Sequence, residues 1–409
     1  MGALAKLFLR VVSLDVHQSS ITVCVLIDDE AGVTHIEQRQ FGGFKRDRRE
    51  MAQWILSFNP QIVVMESSGS YWQSPYVALE KVGIKAMVVN ARHVKKAPGK
   101  KTDFSDAKWL ALLARAGLLN RSFIPSAKLR QLRLVSRERY GFVKMLGTLK
   151  NRLHHLLSQC GIRLNVVVSD IHGVAARAMV KGIIAGKSPS TILDYAGNRL
   201  KASRAELYEA VQGEVDVEHR FLLNEIMLSI EETEARISRL NRYLLDGLAE
   251  EEPYLRFLET IPGIDRLGAA MLLVEIGTDM SEFKSADHLS SWAGLCPGNH
   301  ESAGKRKSGR TRKGNVQVRR LLCEFAHAAS RTKGTAFKAK FDSLVYRLGY
   351  RRAIVAIGHK ILRTIFYMLD RGEPYRDSVF DYEAEMVKKN APRWIKSLAK
   401  YGYLDTALT

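Results

Sequence analysis

The chain predicts a mixed α/β domain followed by a largely helical remainder, and three features carry that expectation. RVVSLDVHQSSITVCVLIDDEAG, from Arg10, holds two apolar, β-branched runs around a short polar link, the pattern of two paired strands. Short apolar runs then alternate with amphipathic segments as far as about residue 125, as strands and helices do in an α/β sheet. Beyond Pro125 the apolar residues recur at helical spacing, beginning with Val143, Leu146, Leu149, Leu153 and Leu156.

In order along the first part, VTHIEQRQF is a third strand candidate and KRDRREMAQWILSF an amphipathic helix. QIVVMESSG is a strand that leaves the sheet at Ser67, Ser68 and Gly69. YWQSPYVALEKVG is a helix, KAMVVN a strand and KTDFSDAKWLALLARAGLL a helix with an acidic start. Pro125 and Ser126 open a long basic helix whose nine Lys and Arg, Lys128 to Arg163, face one Glu. A solvated helix face and a nucleic-acid contact explain those cations equally well.

Residues 161–214 are broken at GKSPS and DYAGNR and carry no assignable chemistry. From Val217 to Leu248, Leu223, Ile230, Ile237 and Leu244 alternate with Ile226, Thr233 and Leu240 at heptad spacing. This predicts a two-helix coiled coil, formed either on the basic helix or between subunits. LRFLETIPGIDRLGAAMLLVEIG then predicts two short helices around IPGIDRLG, a helix-hairpin-helix in which Gly263 and Gly268 let backbone amides approach a phosphate. An ordinary helical hairpin, with the glycines serving only the turn, is the alternative. The expected regions are 1–160, 161–254 and 255–409.

The chain has 63 Lys and Arg against 43 Asp and Glu, a net charge of +20 that suits a polyanion better than an acidic or neutral partner. No apolar stretch has the length of a membrane span, and the opening MGALAKLFLRVVSLDV runs into a strand without a cleavage site, so a cytosolic location is expected. Cys24, Cys160, Cys296 and Cys323 lack metal or disulfide spacing.

Four acids stand out against this basic background. Asp15 falls within a buried strand, where an acid is rare without a pair or a metal. Glu66 ends another strand, and Asp103 and Asp106 lie one helical turn apart at a helix start, on one face. Taken singly, Asp103 or Asp106 can be an N-cap or first-turn acid, and Glu66 a strand-end surface acid. Taken together, four oxygen donors at strand ends and a helix start suit two Mg²⁺ ions about 3.5–4 Å apart, which clamp the two reacting oxygens of a phosphodiester. Farther on, eight Lys or Arg and no acid lie between Ser302 and Cys323, with Gly304, Gly309 and Gly314 among them. A flexible loop of such charge is costly to gather without a polyanion. DHLSSWAGL before it and VRRLLCEFAHAA after it would hold it at the surface of a folded domain.

Four stretches in this order, DVHQSSITVCVL, ESSGSYWQSPYVALEKVGIKAMVVNARHVKKAPGKKTDFSDAKWLALLARAGLL, IPGIDRLGAAMLLVEIG and WAGLCPGNHESAGKRKSGRTRKGN, resemble the DEDD transposases of bacterial insertion sequences. The resemblance covers most of the chain and least of residues 161–214. It implies an α/β ribonuclease-H-like (RuvC-like) N-terminal domain, a helical and coiled-coil middle, and a mainly α C-terminal transposase domain with a helix-hairpin-helix and a nucleophilic serine. Carried over, the DEDD acids fall on Asp15, Glu66, Asp103 and Asp106, and the serine on Ser302 of ESAGK, with Ser308 the other serine of the basic stretch. Lys305, Arg306, Lys307, Arg310, Arg312 and Lys313 would bind nucleic acid with Gly263 and Gly268.

The resemblance further implies donor and target DNA as substrates and a structured noncoding bridge RNA as guide. Base pairing would supply the addressing while Lys and Arg hold the backbones. It fits a homo-oligomer, dimer or tetramer, in a bacterial cytoplasm and at the nucleoid when acting. The expected function is RNA-guided recombination through a serine–DNA covalent intermediate, with the metal cluster activating Ser302, since a hydroxyl is a weak nucleophile alone. Two alternatives stand beside it: a RuvC-like, structure-selective endonuclease in which metal-activated water attacks, and a nucleic-acid-binding scaffold whose acids are structural.

Overall fold

Strand β1 (Arg10–Val16) lies at the centre of a five-stranded sheet and is buried on both faces. Successive side chains point to opposite faces, so Val12, Leu14 and Val16 enter one core and Val11 another. The computed structural model describes residues 6–404 apart from 68, 91–101, 198–200, 297–299, 303–304, 309–310, 312 and 378–381. The strand order is β3 (Thr34–Gly42), β2 (Ser20–Asp28), β1, β4 (Ile62–Glu66), β5 (Met87–Val89). The first three pair antiparallel, while β4 pairs parallel with β1 and with β5. Helices α1 (Lys45–Ser57) and α2 (Gln73–Glu80) supply Met51, Ile55, Tyr76 and Leu79 to the core under Leu14. Helix α3 (Asp103–Arg115) supplies Ala107, Leu110 and Ala111 to the opposite face. The alternation of apolar runs predicts such an α/β sheet, and the ribonuclease-H-like arrangement is the one the family resemblance implies.

The chain divides into two compact units, Met1–Ile124 and Pro125–Thr409. The long basic helix, expected within a first region ending at residue 160, is α4 (Ala127–Gln159) and falls in the second unit, because its apolar side packs on α9 (Val217–Gly247). Between them in sequence lie α5 (Leu164–Val167), α6 (Val174–Ile184), α7 (Pro189–Leu193) and α8 (Arg204–Val211). Leu153, Leu157, Leu223, Ile226 and Ile230 share one core with Met179, Ile183 and Leu207. Of the seven heptad positions, Leu223, Ile226, Ile230, Thr233 and Leu244 are buried within the chain while Ile237 and Leu240 are half-buried, and Thr233 donates its hydroxyl to the Ser229 carbonyl at 2.7 Å.

Several cations of α4 are held by the chain's own groups. Lys128 pairs with Glu250 and Glu251, Lys150 with Glu234, Arg139 with the Asn241 side chain, and Arg133 and Arg137 with Glu275. For these five the structure favours an internal role over a nucleic-acid contact.

The remainder is helical: α10 (Glu252–Glu259), α11 (Arg266–Ile276), α12 (Ala286–Trp292), α13 (Val316–Ala329), α14 (Ala336–Leu348), α15 (Tyr350–Arg371) and α16 (Tyr382–Lys400). A strand pair, β6 (His300–Ser302) and β7 (Lys305–Ser308), stands between α12 and α13. Helix α15 buries Ile354, Ile357, Ile361 and Ile365 and packs against α12, α13 and α14.

Glu275 of α11 is 1% exposed and ties three elements of this unit together. Arg137 holds it with two parallel hydrogen bonds of 2.9 and 3.0 Å, Arg133 adds a contact of 3.2 Å, and the Asn315 side-chain Nδ2 donates at 2.8 Å. Burial draws the Arg133 guanidinium down to about 10 against the pull of Glu275. Removing the anion leaves two guanidinium groups without it, one of them deeply placed, so Glu275→Ala is expected to cost about 3–5 kcal/mol of unfolding free energy. Urea denaturation followed by tryptophan fluorescence checks this; a loss below about 1 kcal/mol contradicts the role given to the network.

Candidate metal centre

Asp15 is the next-to-last residue of β1, on the face that meets α3 two positions after Ser13. Ser13 is fully buried and donates its hydroxyl to the Ala107 carbonyl at 2.6 Å, which clamps the first turns of α3 over β1. Glu66 ends β4 one residue beyond the registered pair Leu14–Met65, so it reaches the same edge of the sheet as Asp15. Asp103 and Asp106 occupy the first turn of α3. Thr102 is the N-cap there, its hydroxyl accepting from the Ser105 amide at 3.1 Å while the Ser105 hydroxyl accepts from the Thr102 amide at 3.0 Å. Neither Asp is the cap, although both gain from the helix dipole; the N-cap reading of these acids is thereby set aside.

His17, which sequence reasoning passed over, completes the group. Its Nε2 lies 3.4 Å from Asp15 Oδ2 and 3.5 Å from Asp103 Oδ1, and its amide donates to the Ser20 carbonyl at 2.9 Å, fixing it in the β1–β2 turn. The available signal was the D-x-H spacing, which puts both side chains on one face at a strand end. Among the described residues, Asp15, His17 and Asp103 offer donor atoms all within 4.8 Å of one another, spacing suited to a common ion. Burial pushes the Asp15 carboxyl up; the His17 imidazole opposes this, and the negative charges of Asp106, Asp103 and Glu66 add to it. The other three acids therefore all act on this one carboxylate, and Asp15 is only 16% exposed at its side chain. A cation placed among them would relieve both burial and repulsion, so the residues present fit a divalent metal.

The basic stretch is not wholly loop. β6 and β7 pair antiparallel, with Ser302 opposite Lys305 and Glu301 opposite Arg306. The flexible loop expected there is, over residues 300–302 and 305–308, a two-stranded ribbon. The side-chain placements of Ser302, Lys305, Arg306 and Lys307, and the whole of Arg310 and Arg312, lie outside what the structure describes; Lys313 is exposed. The stretch is anchored at its far end. The Asn315 amide donates to the Trp292 carbonyl at 3.1 Å, Arg319 reaches Thr311 at 2.7 Å, and a Cβ on Gly314 would meet the Gly294 nitrogen at 2.3 Å.

The helix-hairpin-helix glycines are used for packing. Gly263, at φ +89°, leaves room only for hydrogen: a Cβ there would lie 2.6 Å from the Ala329 nitrogen and 2.8 Å from the Phe325 carbonyl of α13. Gly268 lies under the Phe325 ring, and its amide already donates to Asp265 at 2.7 Å. The Gly268 amide is thus committed to the cap of α11, a correction to the phosphate-contact expectation whose cause is the close approach of α11 and α13. None of the four cysteines is in a disulfide; burial raises the Cys24 thiol to about 11.

Fold and site together define a ribonuclease-H-like sheet with carboxylates gathered at the ends of its central parallel strands. Comparison with known proteins is narrower. A transposase family model of the IS110 DEDD type matches residues 12–162, and a family model described as the transposase IS116/IS110/IS902 family matches residues 255–342. The two stretches together exceed half of the chain, which belongs to the IS110 family of DEDD transposases.

The transposase for insertion sequence element IS1111A of Coxiella burnetii is 32% identical over 136 residues, covering 32% of this chain and 37% of that protein. The pilin gene-inverting protein of Moraxella bovis is 34% identical over 122 residues, covering 29% of this chain and 37% of that protein. The chain thus spans little more than a third of the length of these relatives. A RuvC structure from Thermus thermophilus is similar at 14% identity and a TM-score of 0.22, over 28% of this chain and 99% of that one; the strand order above, and not this likeness, carries the fold.

Because the folded state raises the Asp15 pKa, it disfavours the charged form, and stability without metal falls as pH rises from the ordinary carboxylate range through that raised value. Asp15→Asn removes the charge and keeps the shape. It is expected to raise the Tm of the chelator-treated protein at pH 7.5 by about 2–4 °C, the effect of roughly 1 kcal/mol in a domain of this size. It should also abolish most of any Tm gain from added Mg²⁺. Differential scanning fluorimetry with and without chelator reads both, and a lowered Tm in the variant contradicts the crowded-carboxylate account.

Proposed function

We propose that the protein is an RNA-guided DNA recombinase of a mobile insertion sequence, acting in the bacterial cytoplasm on donor and target DNA. The observation that carries this is the convergence on Asp15: a mostly buried carboxylate at a strand end, with His17 3.4 Å away, Asp103 a further 3.5 Å step from His17, and the charges of Glu66 and Asp106 upon it. Asp15, Glu66, Asp103 and Asp106 would hold the metal, with His17 beside them. Two Mg²⁺ ions bound there would stabilise charge on the attacking and leaving oxygens of a phosphodiester.

The remaining chemistry belongs to the chain. The Ser302 hydroxyl oxygen forms a new ester bond to the scissile phosphorus as the DNA oxygen departs and takes up a proton. The phosphodiester count is unchanged, so an incoming DNA hydroxyl can displace Ser302 and rejoin the strand without an external energy source. Lys305, Arg306, Lys307, Arg310, Arg312 and Lys313 offset charge that develops on the phosphate and hold nucleic-acid backbones. Membership of a DEDD transposase family, the pairing of Ser302 with Lys305 in the ribbon and the +20 charge support this reading. A structured bridge RNA supplies the addressing by base pairing. Work on two DNA sites calls for a homo-oligomer, a dimer or a tetramer.

Asp15→Asn, Glu66→Gln and Asp106→Asn are each expected to lower DNA cleavage by about 100-fold or more while leaving circular dichroism unchanged. Full activity in any two of them removes the cluster from the mechanism. Ser302→Ala is expected to eliminate the covalent protein–DNA species on a denaturing gel, with Ser308→Ala retaining it. If cleavage proceeds in Ser302→Ala and the parent protein forms no adduct, a metal-dependent endonuclease that uses water takes the place of the recombinase.

Replacing Lys305, Arg306, Lys307 and Arg310 with Gln is expected to weaken duplex DNA binding and reduce its log–log salt slope by up to about 3–4, near 0.9 for each phosphate no longer neutralised. Fluorescence anisotropy across a salt series measures this, and an unchanged slope means that the ribbon is only solvated.

A further inference from the structure

On the other helical face of the sheet, α1 and α2 enclose a groove of about 710 Å³ that the metal-centre chemistry does not use. Lys45, Arg48, Arg49 and Lys81 line it, and no acidic side chain does so among the described residues. Lys45, Arg49 and Lys81 are exposed and make no side-chain hydrogen bond or ion pair with any described residue. The groove's floor is apolar, formed by Ala52, Val77, Ala78 and Val82. A cationic rim over an apolar floor differs from a surface that meets duplex phosphates alone, because a duplex keeps its base faces stacked inside and cannot lay them on that floor.

The groove and the carboxylate group are linked through shared lining residues. A second cleft, lined by His17, Gln18, Gly43, Arg48, Tyr71 and Ser74 among others, shares Arg48 and Ser74 with the groove and His17 with the carboxylate group. Arg48 is fixed at this junction by its hydrogen bond to the Gly43 carbonyl. Tyr71, 45% exposed, lies 3.4 Å from the Gln18 side chain through its hydroxyl and presents a ring on the path. A strand that leaves the metal centre past His17 would meet the Tyr71 ring and then Lys45, Arg49 and Lys81, cations with no partner among the described residues.

We infer that the Tyr71 cleft and the α1–α2 groove form a track for a single DNA strand, holding the segment next to the cut after its bases have left the duplex. This rests on the reading of the carboxylates as a DNA-cleaving centre. The track assigns a binding role to Lys45, Arg49, Lys81 and Tyr71. Phosphates meet the rim, unpaired bases meet Tyr71 and the floor, and the strand is kept from re-pairing while its partner segment is exchanged.

The full chain carrying Lys45→Gln, Arg49→Gln and Lys81→Gln is tested against a fluorescent single-stranded oligonucleotide in chelator, where no cleavage takes place, so the result is independent of whether the carboxylates cut. Affinity is expected to fall at least fivefold at 0.1 M salt, with the salt slope reduced by about 2, near 0.7 for each single-strand phosphate. Tyr71→Ala should weaken binding further without changing the slope, and Tyr71→Phe should restore it. Val77→p-benzoylphenylalanine, placed on the floor, should photo-cross-link to the DNA strand beside the cut site in the complex with DNA and guide RNA. An unchanged slope overturns the track, as does cross-linking to RNA alone or an equal loss for duplex and single-stranded DNA. Arg49→Gln alone, with the cross-link, keeps the test open if the triple variant fails to fold.

Discussion

A strand buried on both faces has no solvent-facing side on which to place a carboxylate, and β1 carries one. Everything in the first unit is arranged about that constraint. Val12, Leu14 and Val16 fill one core, Val11 the other, and the remaining inward positions of the α3 face are Ser13 and Asp15. Ser13 resolves its polarity by donating to the Ala107 carbonyl, and the same bond sets α3 so that its acidic first turn lies at the strand's end. Asp15, roughly 7 Å farther along the strand, comes out where β1 meets its turn, with a raised pKa as the visible cost of its burial and its neighbours. Two layers of apolar packing thus hold together charges that would otherwise separate.

The second unit solves a related problem without exposing the charge. Glu275 is buried among α4, α11 and the residues leading into α13, and its oxygens are shared by Arg133, Arg137 and Asn315. Asn315 is at once the N-cap of α13, accepting from the Gln317 and Val318 amides at 3.0 and 3.2 Å, and the residue whose amide binds Trp292. The cationic ribbon between α12 and α13 consequently hangs from a neutralised interior carboxylate. The segment's exit is held by the backbone hydrogen bond from Asn315 to Trp292 and by Arg319 on Thr311.

Glycine shows how a motif can be legible while its use is not. IPGIDRLG has the glycines of a phosphate-binding hairpin, and the turn does form, between α10 and α11. Gly263 and Gly268 are required there because α13 passes within contact distance of their α-carbons. Local sequence can say that a side chain is excluded; what excludes it comes from a helix some sixty residues away.

Periodicity alone determined the order of strands and helices in the first unit, the start of α4 at Ser126 and the heptad face of α9, since these follow from local dihedral preference and a 2.0 or 3.6 repeat. The position of Asp15 in a strand, of Glu66 at a strand end and of Asp103 and Asp106 in one first turn was equally legible. Their convergence was expected from their order and from the family resemblance, but what produces it is tertiary: β4 joining β1 in parallel and the Ser13–Ala107 bond, contacts separated by about fifty and ninety residues. The same holds for His17, whose partner Asp103 is far off in the chain, and for α4, where charge counting could not tell a free cation from one already claimed by Glu234 or Glu275. Spacing along a chain specifies which side chains share a face; only packing between elements decides which faces meet.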